Sequence, residues 1–321
     1  MHMRALGRTG LKVSALCFGG NVFGWTADED ASFAVLDAFV EGGGTFIDSA
    51  DVYSRWVPGH TGGESEAVLG RWMQARSNRH EVIVATKLGS PMGDSPNQAG
   101  LSRHWIMEAV EASLRRLQTD YIDLYQTHRD DPTTPQEETA RALDDLVRAG
   151  KVRYLGCSNF KAYRLALALG VSARAGYARY DCVQPPYSLV NRGVYEPELQ
   201  ALCVEQGIGV IPYSSLGSGF LTGKYRRGQS LPETPRAGGI QQRYMNAQGD
   251  AVLDAVDAVA KQYDATPAQI ALAWNLAQPG ITAPIASATT AAQTRELLAA
   301  TDLTLDADAL KTLTDASAPF A

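Results

Sequence analysis

The chain alternates between short apolar runs and longer stretches with helical periodicity. In the longer stretches apolar residues return at intervals of three and four, as they do in 106–117 and 138–147. The short, β-prone runs recur about every thirty residues. They are 15–19, 45–48, 82–87, 122–128, 152–158, 181–185, 209–213 and 281–286. We therefore predict eight β-strands, each followed by helical sequence.

This alternation favours an α/β protein built as one closed (β/α)8 barrel, a TIM barrel with long βα loops that forms a single domain over residues 1–321. The main alternative is a doubly wound sheet, which would place a GxGxxG turn directly after its first strand. Here the first strand leads into Phe18-Gly-Gly-Asn-Val-Phe-Gly24, which lacks that spacing. The nearest similar stretch, 217–223, follows the seventh strand and also has the wrong spacing.

Two segments depart from the strand–helix repeat. Residues 4–13 hold the turn signal Arg8-Thr-Gly10 between two short apolar runs, which predicts a β-hairpin that plugs the N-terminal end of the barrel. Residues 214–249 form a long stretch rich in Gly, Pro, Arg and Gln after the seventh strand. A loop of that length is typical of a lid or a binding element.

Composition excludes several classes of function. The chain has 321 residues, 45% of them hydrophobic, and 29 Lys and Arg against 35 Asp and Glu give a net charge of −6. That balance argues against a nucleic-acid partner or a membrane held by basic residues. We find no apolar run of membrane-spanning length and no targeting pattern at the N-terminus. The four cysteines are scattered without a CxxC pair, so we expect neither disulfide nor metal site in a cytoplasmic protein.

Polar residues cluster at the ends of the predicted strands. The second strand continues into Phe46-Ile-Asp48-Ser-Ala-Asp51-Val-Tyr53, the third ends at Lys87 and the fourth at His128. Active sites of (β/α)8 barrels lie at the C-terminal ends of the strands. An acid, a phenol, an amine and an imidazole are thus expected at one rim.

These motifs resemble the aldo-keto reductase family, and most closely its longer-chain bacterial-type members related to the potassium-channel β-subunit-like branch. Asp48 and Tyr53 keep the signature spacing of five, and Lys87 and His128 match the remaining members of the tetrad. The resemblance covers nearly the whole chain. Its other motifs are Gly63-Glu-Ser-Glu66, Gly156-Cys-Ser-Asn-Phe160, Val183-Gln184 and 213–225. It implies an NAD(P)H-dependent oxidoreductase that reduces an aldehyde or ketone to an alcohol, reversibly.

The tetrad suits this chemistry because carbonyl reduction needs a proton at oxygen while a hydride arrives at carbon. A free tyrosine has a pKa near 10 and is a poor proton donor unless a nearby ammonium lowers that value. We expect Tyr53 to be the general acid, with Lys87 lowering its pKa and Asp48 holding Lys87 in place. His128 is expected to orient the carbonyl and to stabilise the developing charge.

The resemblance also implies cofactor contacts. Ser158, Asn159 and Gln184 correspond to the carboxamide partners, and Tyr213 to the stacking platform under the nicotinamide. Gly19 and Gly20 would let the backbone approach the nicotinamide end, beside Asp48. The remaining positions are expected to cover the pyrophosphate or to meet the adenosine; they are Ser214, Leu216, Ser218, Lys224, Ser287 and Gln293.

The adenosine end departs from the family pattern. Ser287 and Thr289 stand where the family often carries basic residues that bind the 2′-phosphate of NADPH. Lys224, Arg226, Arg227 or Arg295 are the cations that could compensate. NADPH stays the expected cofactor, and NADH the alternative.

Phe23, Trp25 and Trp56 lie in loops after the first two strands and are expected to line an apolar substrate pocket. Two other functions are open at this point. One is a regulatory or redox-sensing subunit that binds cofactor with little turnover, as the channel β-subunit branch suggests. The other is a barrel hydrolase or isomerase that uses Asp48 and Asp51 as paired carboxylates. The expected partner is a small carbonyl or alcohol substrate, and no oligomeric state is indicated.

Overall fold

A computed structural model describes all residues from 1 to 321. The strands are β1 Met3–Ala5, β2 Lys12–Ser14, β3 Cys17–Gly19, β4 Phe46–Asp48, β5 Ile83–Leu88, β6 Ile122–Thr127, β7 Val152–Ser158, β8 Tyr180–Gln184, β9 Gly209–Val210 and β10 Ile285–Ala286. The helices are α1 Glu29–Glu41, α2 Glu64–Arg76, α3 Arg103–Leu117, α4 Gln136–Arg148, α5 Ala162–Ala175, α6 Glu198–Gln206, α7 Ala237–Tyr244, α8 Ala247–Gln262, α9 Pro267–Leu276, α10 Ala291–Ala299 and α11 Ala307–Ala316.

All eight predicted strands are present, and they form one parallel sheet in the order β10-β3-β4-β5-β6-β7-β8-β9. Backbone hydrogen bonds join the two ends of this order. The Val210 carbonyl accepts from Thr282 N at 2.7 Å, and the Pro212 carbonyl accepts from Ile285 N at 2.8 Å. The curled parallel sheet is consistent with a (β/α)8 barrel.

The predicted hairpin is confirmed. Strands β1 and β2 pair antiparallel, and Leu6 and Val13 enter a small apolar cluster with inward-facing residues of the barrel strands. Gly7 turns the chain with φ +56°, and a Cβ there would lie 2.4 Å from the Asp181 carbonyl oxygen. The hairpin therefore packs directly against the N-terminal ends of β8 and β9, which explains the glycine at that turn.

Several helices begin after capping residues that are visible in the sequence. Asp28, Ser102 and Asn246 cap α1, α3 and α8 by accepting hydrogen bonds from backbone N–H groups of the first turn. At α9, Thr266 and Gln269 form a reciprocal capping box with Pro267 at the first helical position. Such caps contribute about 0.5–2 kcal/mol each.

Two predictions about the seventh unit need correction. The strand expected over 209–213 ends at Val210, because Pro212 and Pro185 have no backbone N–H and interrupt the hydrogen-bond ladder. Beyond that point Ile211 and Tyr213 each donate one backbone hydrogen bond to the neighbouring strand segment. The long segment after it is not a structureless loop. It contains a 3-10 turn at Gly217–Thr222 and the helix α7, and two further helices, α8 and α9, precede β10.

The four cysteines are buried and free. No group of three His, Cys, Asp or Glu side chains is arranged to hold a metal ion. None of the helices combines the length and the apolar character needed to cross a membrane.

Candidate active site

A polar layer lies directly above an apolar layer inside the sheet. Phe46, Ala85, Leu124 and Cys182 point inward and pack with the hairpin. Because successive side chains on a strand alternate between its faces, the residues two positions later also point inward. They are Asp48, Lys87, Gln126 and Gln184, and all four are buried. The sequence therefore places the polar layer at the C-terminal rim by strand period alone.

The Asp48 carboxylate is the centre of this layer. Its Oδ2 accepts from Lys87 Nζ at 2.5 Å, and its Oδ1 accepts from Gln126 Nε2 and from Gln184 Nε2, both at 3.0 Å. A buried charge is tolerated only when it is paired and hydrogen-bonded, and Asp48 meets both conditions.

The Lys87 ammonium uses all three of its hydrogens. It donates to Asp48 Oδ2, to the Ser49 carbonyl at 2.8 Å and to Tyr53 Oη at 2.9 Å. The side chain is completely buried. Lys87 thus joins the carboxylate to the phenol, as the sequence predicted.

The expected lowering of the Tyr53 pKa is not found. Burial, followed by the nearby Asp48 carboxylate, raises the pKa of Tyr53 well above its usual value. The phenol proton points to Asp48 Oδ2 over a long 3.4 Å hydrogen bond. Tyr53 is therefore a neutral phenol at rest. Burial and the Asp48 carboxylate outweigh the lowering of the pKa that was expected from the Lys87 ammonium.

His128 lies beside Tyr53, with 6.0 Å between the two ring centroids. Burial, and then the Lys87 and Arg129 cations, lower its pKa to about 3. Its Nδ1 is 3.4 Å from Ser90 Oγ. The imidazole is therefore neutral near pH 7, which suits a hydrogen-bond donor to a carbonyl and disfavours a proton relay through an imidazolium.

Asp51 does not pair with Asp48. Both of its carboxylate oxygens are buried without a hydrogen-bond partner. Burial, and then the Glu66 carboxylate, raise the pKa of Asp51 well above its usual value. Glu66 itself is bound by Arg116 Nε at 2.7 Å and by Thr86 Oγ1 at 2.5 Å. Asp51 belongs to this outer group between the sheet and helices α2 and α3, so the paired-carboxylate alternative lacks its geometry.

The three residues expected to meet the nicotinamide carboxamide form one network. Asn159 Nδ2 donates to the His128 carbonyl at 2.9 Å and to Ser158 Oγ at 3.0 Å, and Ser158 Oγ donates to the Gln184 carbonyl at 2.8 Å. Tyr213 Oη donates to Asn159 Oδ1 at 2.9 Å. The amide donors of Asn159 and Gln184 are occupied by protein groups. Their side-chain carbonyl oxygens are thus the atoms suited to an incoming amide N–H.

The segment expected to cover the pyrophosphate has unusual backbone geometry. Ser214 and Ser218 have φ of 56° and 61°, and Gly217 and Gly219 have φ of 57° and 107°. Positive φ is uncommon outside glycine, and successive residues of this kind orient backbone N–H groups toward anions. Leu216 holds the turn, since its carbonyl accepts from Gly219 N at 2.9 Å and from Leu221 N at 3.1 Å.

Most of the cations that could replace the missing basic residues at Ser287 and Thr289 lie near acidic side chains. Arg226 is 2.7 Å from Asp257, Arg227 is 3.7 Å from Asp250, and Arg295 is 3.9 Å from Glu41. Lys224 makes no ion pair; its Nζ lies 5.6 Å from the centroid of the adjoining Tyr225 ring. Of these four cations, Lys224 is therefore the one available to an anion.

At the eighth strand, Ser287 and Gln293 are held by neighbouring residues. Ser287 Oγ donates to Asn21 Oδ1 at 2.7 Å, and Gln293 Oε1 accepts from Thr289 N at 3.0 Å. A Cβ on Gly19 would lie 2.6 Å from Ser287 Oγ, and one on Gly20 would lie 3.0 Å from the Asp48 carbonyl oxygen. A side chain at either glycine would therefore crowd neighbouring groups of the protein itself.

The expectation for Phe23 is corrected. Its side chain is completely buried and stacks on Phe18 with 5.7 Å between ring centroids, so it is a core residue. Trp25 and Trp56 do lie together, edge to face at 5.4 Å, and Trp56 is 6.1 Å from Tyr53. Trp56 is 49% exposed, so these indoles form an apolar wall beside the phenol.

Sequence reasoning missed several residues of the site. Gln126 could have been found from strand period, since it lies two positions before His128 on the inward face. No local sequence pattern marks Asn21 or Ser90 as a site residue. Their partners, Ser287 and His128, follow other strands and are distant in the sequence. Arg236 was also missed: its guanidinium carbon lies 5.4 Å from the Trp25 ring centroid, joining the 214–249 segment to the loop after β3.

Comparison with known proteins assigns the chain to a family. Residues 15–318 match the model of the Aldo/keto reductase family, which is nearly the whole length. The chain belongs to the aldo/keto reductase family. Membership agrees with the buried Asp48–Lys87–Tyr53 arrangement beside His128. It supports carbonyl reduction in general, and a nicotinamide cofactor.

Three curated relatives illustrate the range of this family. An uncharacterized oxidoreductase, YrpG, of Bacillus subtilis (strain 168) is 35% identical over 320 residues, 98% of this chain and 95% of that protein. A probable voltage-gated potassium channel subunit beta of Arabidopsis thaliana is 33% identical over 314 residues, 94% and 92% of the two chains. Versiconal hemiacetal acetate reductase of Aspergillus parasiticus is 33% identical over 305 residues, 87% and 86%. These relatives confirm the resemblance to the longer-chain, channel-subunit-like branch.

Proposed function

We propose that this protein is an NADPH-dependent reductase of aldehydes or ketones, working on a single closed (β/α)8 domain over residues 1–321. Tyr53 is the general acid, Lys87 and Asp48 support it, and His128 orients the carbonyl. The observation that carries the proposal is the Lys87 ammonium, which lies 2.9 Å from Tyr53 Oη and 2.5 Å from Asp48 Oδ2.

The proton comes from Tyr53. A neutral phenol with a raised pKa holds its proton until the carbonyl oxygen becomes basic, and it then passes the proton to that oxygen. Lys87 already donates to the phenol oxygen, so the phenolate that forms is stabilised without any rearrangement. Asp48 keeps the ammonium in place. In the reverse reaction the phenolate takes the proton from an alcohol.

His128 fixes the carbonyl oxygen near Tyr53. A Ser90 hydroxyl that donates to Nδ1 leaves the ring proton on Nε2, which is then the donor to the substrate. The pKa of about 3 keeps this imidazole neutral through the physiological range. His128 therefore contributes a directed hydrogen bond, and Tyr53 supplies the proton.

The residues present fit a dinucleotide. When bound, the reduced nicotinamide supplies the hydride, which no side chain can provide. The acceptor oxygens of Asn159 and Gln184 would hold the carboxamide and the Tyr213 ring would lie under the nicotinamide. The positive-φ turn at 217–219 and the unpaired Lys224 would hold the phosphates.

Tyr53→Phe tests the catalytic assignment. The variant keeps the ring that packs near Trp56 and loses the single oxygen that carries the proton. We expect unchanged cofactor affinity, measured by fluorescence titration, and a fall in kcat of about 10²–10⁴-fold. Turnover close to that of the wild type would overturn the assignment. Parallel titrations with NADPH and NADH measure the cofactor preference.

A second candidate is a regulatory or redox-sensing subunit, because one relative is named as a probable potassium channel subunit beta. The complete Asp48, Tyr53, Lys87 and His128 set favours turnover instead. A panel of carbonyl compounds, from small aldehydes to bulky cyclic ketones, separates the two. Tight cofactor binding with no reduction of any compound would favour the regulatory role.

A further inference from the structure

Arg129 is a cation beside the active site that has no counter-charge in the protein. It follows His128 directly at the C-terminal end of β6, and its side chain is exposed. The guanidinium makes no ion pair and no hydrogen bond, whereas the acids next to it in sequence are fully used. Asp130 accepts two hydrogen bonds from Arg164, at 2.7 and 2.8 Å.

Asp131, the second acid that follows Arg129 in the sequence, is also engaged by other groups. Asp131 accepts from Leu101 N at 2.8 Å and from the hydroxyls of Thr133 and Thr134 at 2.6 and 2.7 Å. These contacts hold both carboxylates in the loop that leads to α4. The fold therefore separates Arg129 from the two negative charges that would otherwise neutralise it.

The Arg129 charge is close enough to affect two residues of the candidate site. It adds to burial and to Lys87 in lowering the pKa of His128. It also reaches Tyr213, where burial raises the pKa of the phenol and Arg129 opposes that rise. The backbone at this point is held, because His128 N donates to the Leu88 carbonyl and the His128 carbonyl accepts from Asn159. Arg129 therefore follows a held backbone position at the C-terminal rim of the sheet, next to His128.

The other arginines near the rim are occupied. Arg55 donates to the Pro91 carbonyl at 2.5 Å, and Arg236 lies against the Trp25 ring. Arg129 has neither kind of partner. In a chain of net charge −6, an unpaired guanidinium beside the carbonyl-binding imidazole favours a negatively charged ligand.

We propose that Arg129 selects carbonyl substrates that carry a carboxylate away from the reacting carbonyl. This inference rests on the proposed reductase function and specifies its substrate class. The carboxylate would accept two parallel hydrogen bonds from the guanidinium while the carbonyl oxygen meets Tyr53 and His128. The Trp25 and Trp56 wall would contact the apolar body between the two ends.

The test compares 4-formylbenzoate with its neutral methyl ester, methyl 4-formylbenzoate. In wild-type protein we expect the anion to have the higher kcat/KM. In Arg129→Met we expect kcat/KM for the anion to fall about 10- to 100-fold, with the ester unchanged. Because the same pair is compared in each protein, the intrinsic reactivity of the two aldehydes cancels.

Controls separate charge from position. Arg129→Lys is expected to recover part of the preference for the anion, because it keeps the charge and loses the planar fork. Arg141→Met removes an exposed, unpaired arginine on α4 and is expected to leave both substrates unchanged. Added salt should slow reduction of the anion more than reduction of the ester.

Each remaining outcome is informative. Equal loss for both substrates, together with weaker cofactor binding, would overturn the inference by showing that Arg129 serves the cofactor. Equal reduction of both substrates, with no effect of Arg129→Met, would overturn it while the reductase function stands. Failure to reduce either aldehyde, or any member of the wider carbonyl panel, would contradict the reductase function itself and this inference with it.

Discussion

Asp48 and Asp51 are two buried carboxylates three residues apart, and they differ in their hydrogen-bond partners. Asp48 ends β4 on its inward face and accepts hydrogen bonds from Lys87, Gln126 and Gln184. Asp51 lies in the following turn, and neither of its oxygens has a partner. One carboxylate is the centre of the candidate site, and the other belongs to a separate group with Glu66 and Arg116.

The comparison shows that burial alone does not identify a functional acid. Asp48 is balanced by an ammonium and two amides, so its charge can organise Lys87 and Tyr53. At Asp51, burial and repulsion from Glu66 outweigh the compensation from Arg116 and Lys87, and together they raise its pKa. The partners of a buried carboxylate, and not its burial alone, decide what it can do in the site.

The largest expected effect comes from Asp48→Asn. The substitution keeps the shape of the side chain but leaves the Lys87 ammonium buried without its counter-charge. We expect a loss of about 3–5 kcal/mol in the free energy of unfolding and a fall in kcat/KM of about 10²–10⁴-fold. Denaturant unfolding and steady-state kinetics measure the two effects. Wild-type kinetics in a folded variant would show that Asp48 is only a structural residue.

A smaller effect is expected from Gln126→Met, which removes one donor to the Asp48 carboxylate and keeps most of the side-chain volume. Hydrogen bonds to charged groups contribute about 1.5–3 kcal/mol, so the free energy of unfolding should fall by that amount. Gln241→Met, at an exposed position on α7, is the matched control and should change little. If both variants unfold alike, the polar layer does not depend on Gln126.

The smallest effect, and one that depends on pH, is expected from Asp51→Asn. Burial and Glu66 raise the pKa of Asp51 in the folded protein, so ionisation is harder in the folded state than in the unfolded state. The wild type keeps the full stability associated with this group below the unfolded pKa, about 3.9, and loses it as pH rises through the folded pKa. The asparagine variant should therefore gain in Tm relative to wild type as pH increases.

Thermal unfolding of Asp51→Asn at acidic, neutral and alkaline pH measures this change. Asp254→Asn is the control, because Asp254 is exposed on α8 and makes no side-chain hydrogen bond or ion pair. A Tm difference for Asp51→Asn that stays constant with pH would mean that Asp51 does not titrate with a raised pKa. Reductase activity of the variant should stay close to that of wild type, in contrast to Asp48→Asn.

Much of the fold could be predicted because its signals are local. Strand β7 was predicted with its observed bounds, and the helix expected over 106–117 is part of α3. One error lies at Pro212, where a proline interrupts the hydrogen-bond ladder of a strand and tertiary contacts continue it. The other lies in the Gly- and Pro-rich segment, whose composition does not reveal short helices such as α7. Local patterns cannot show such features, because distant segments supply the hydrogen bonds and the packing.

Residue order along the chain is sufficient to specify the alternation of strands and helices and the inward positions of Asp48, Lys87 and Gln184. Strand period and motif spacing depend only on neighbours along the chain. The folded arrangement was needed to show which charges remain unpaired, that Tyr53 is a neutral phenol and that Phe23 is a core residue. It also decided that Asp130 turns to Arg164 and leaves Arg129 without a counter-charge. Protonation and pairing depend on the three-dimensional surroundings of each group, which residues distant in sequence create.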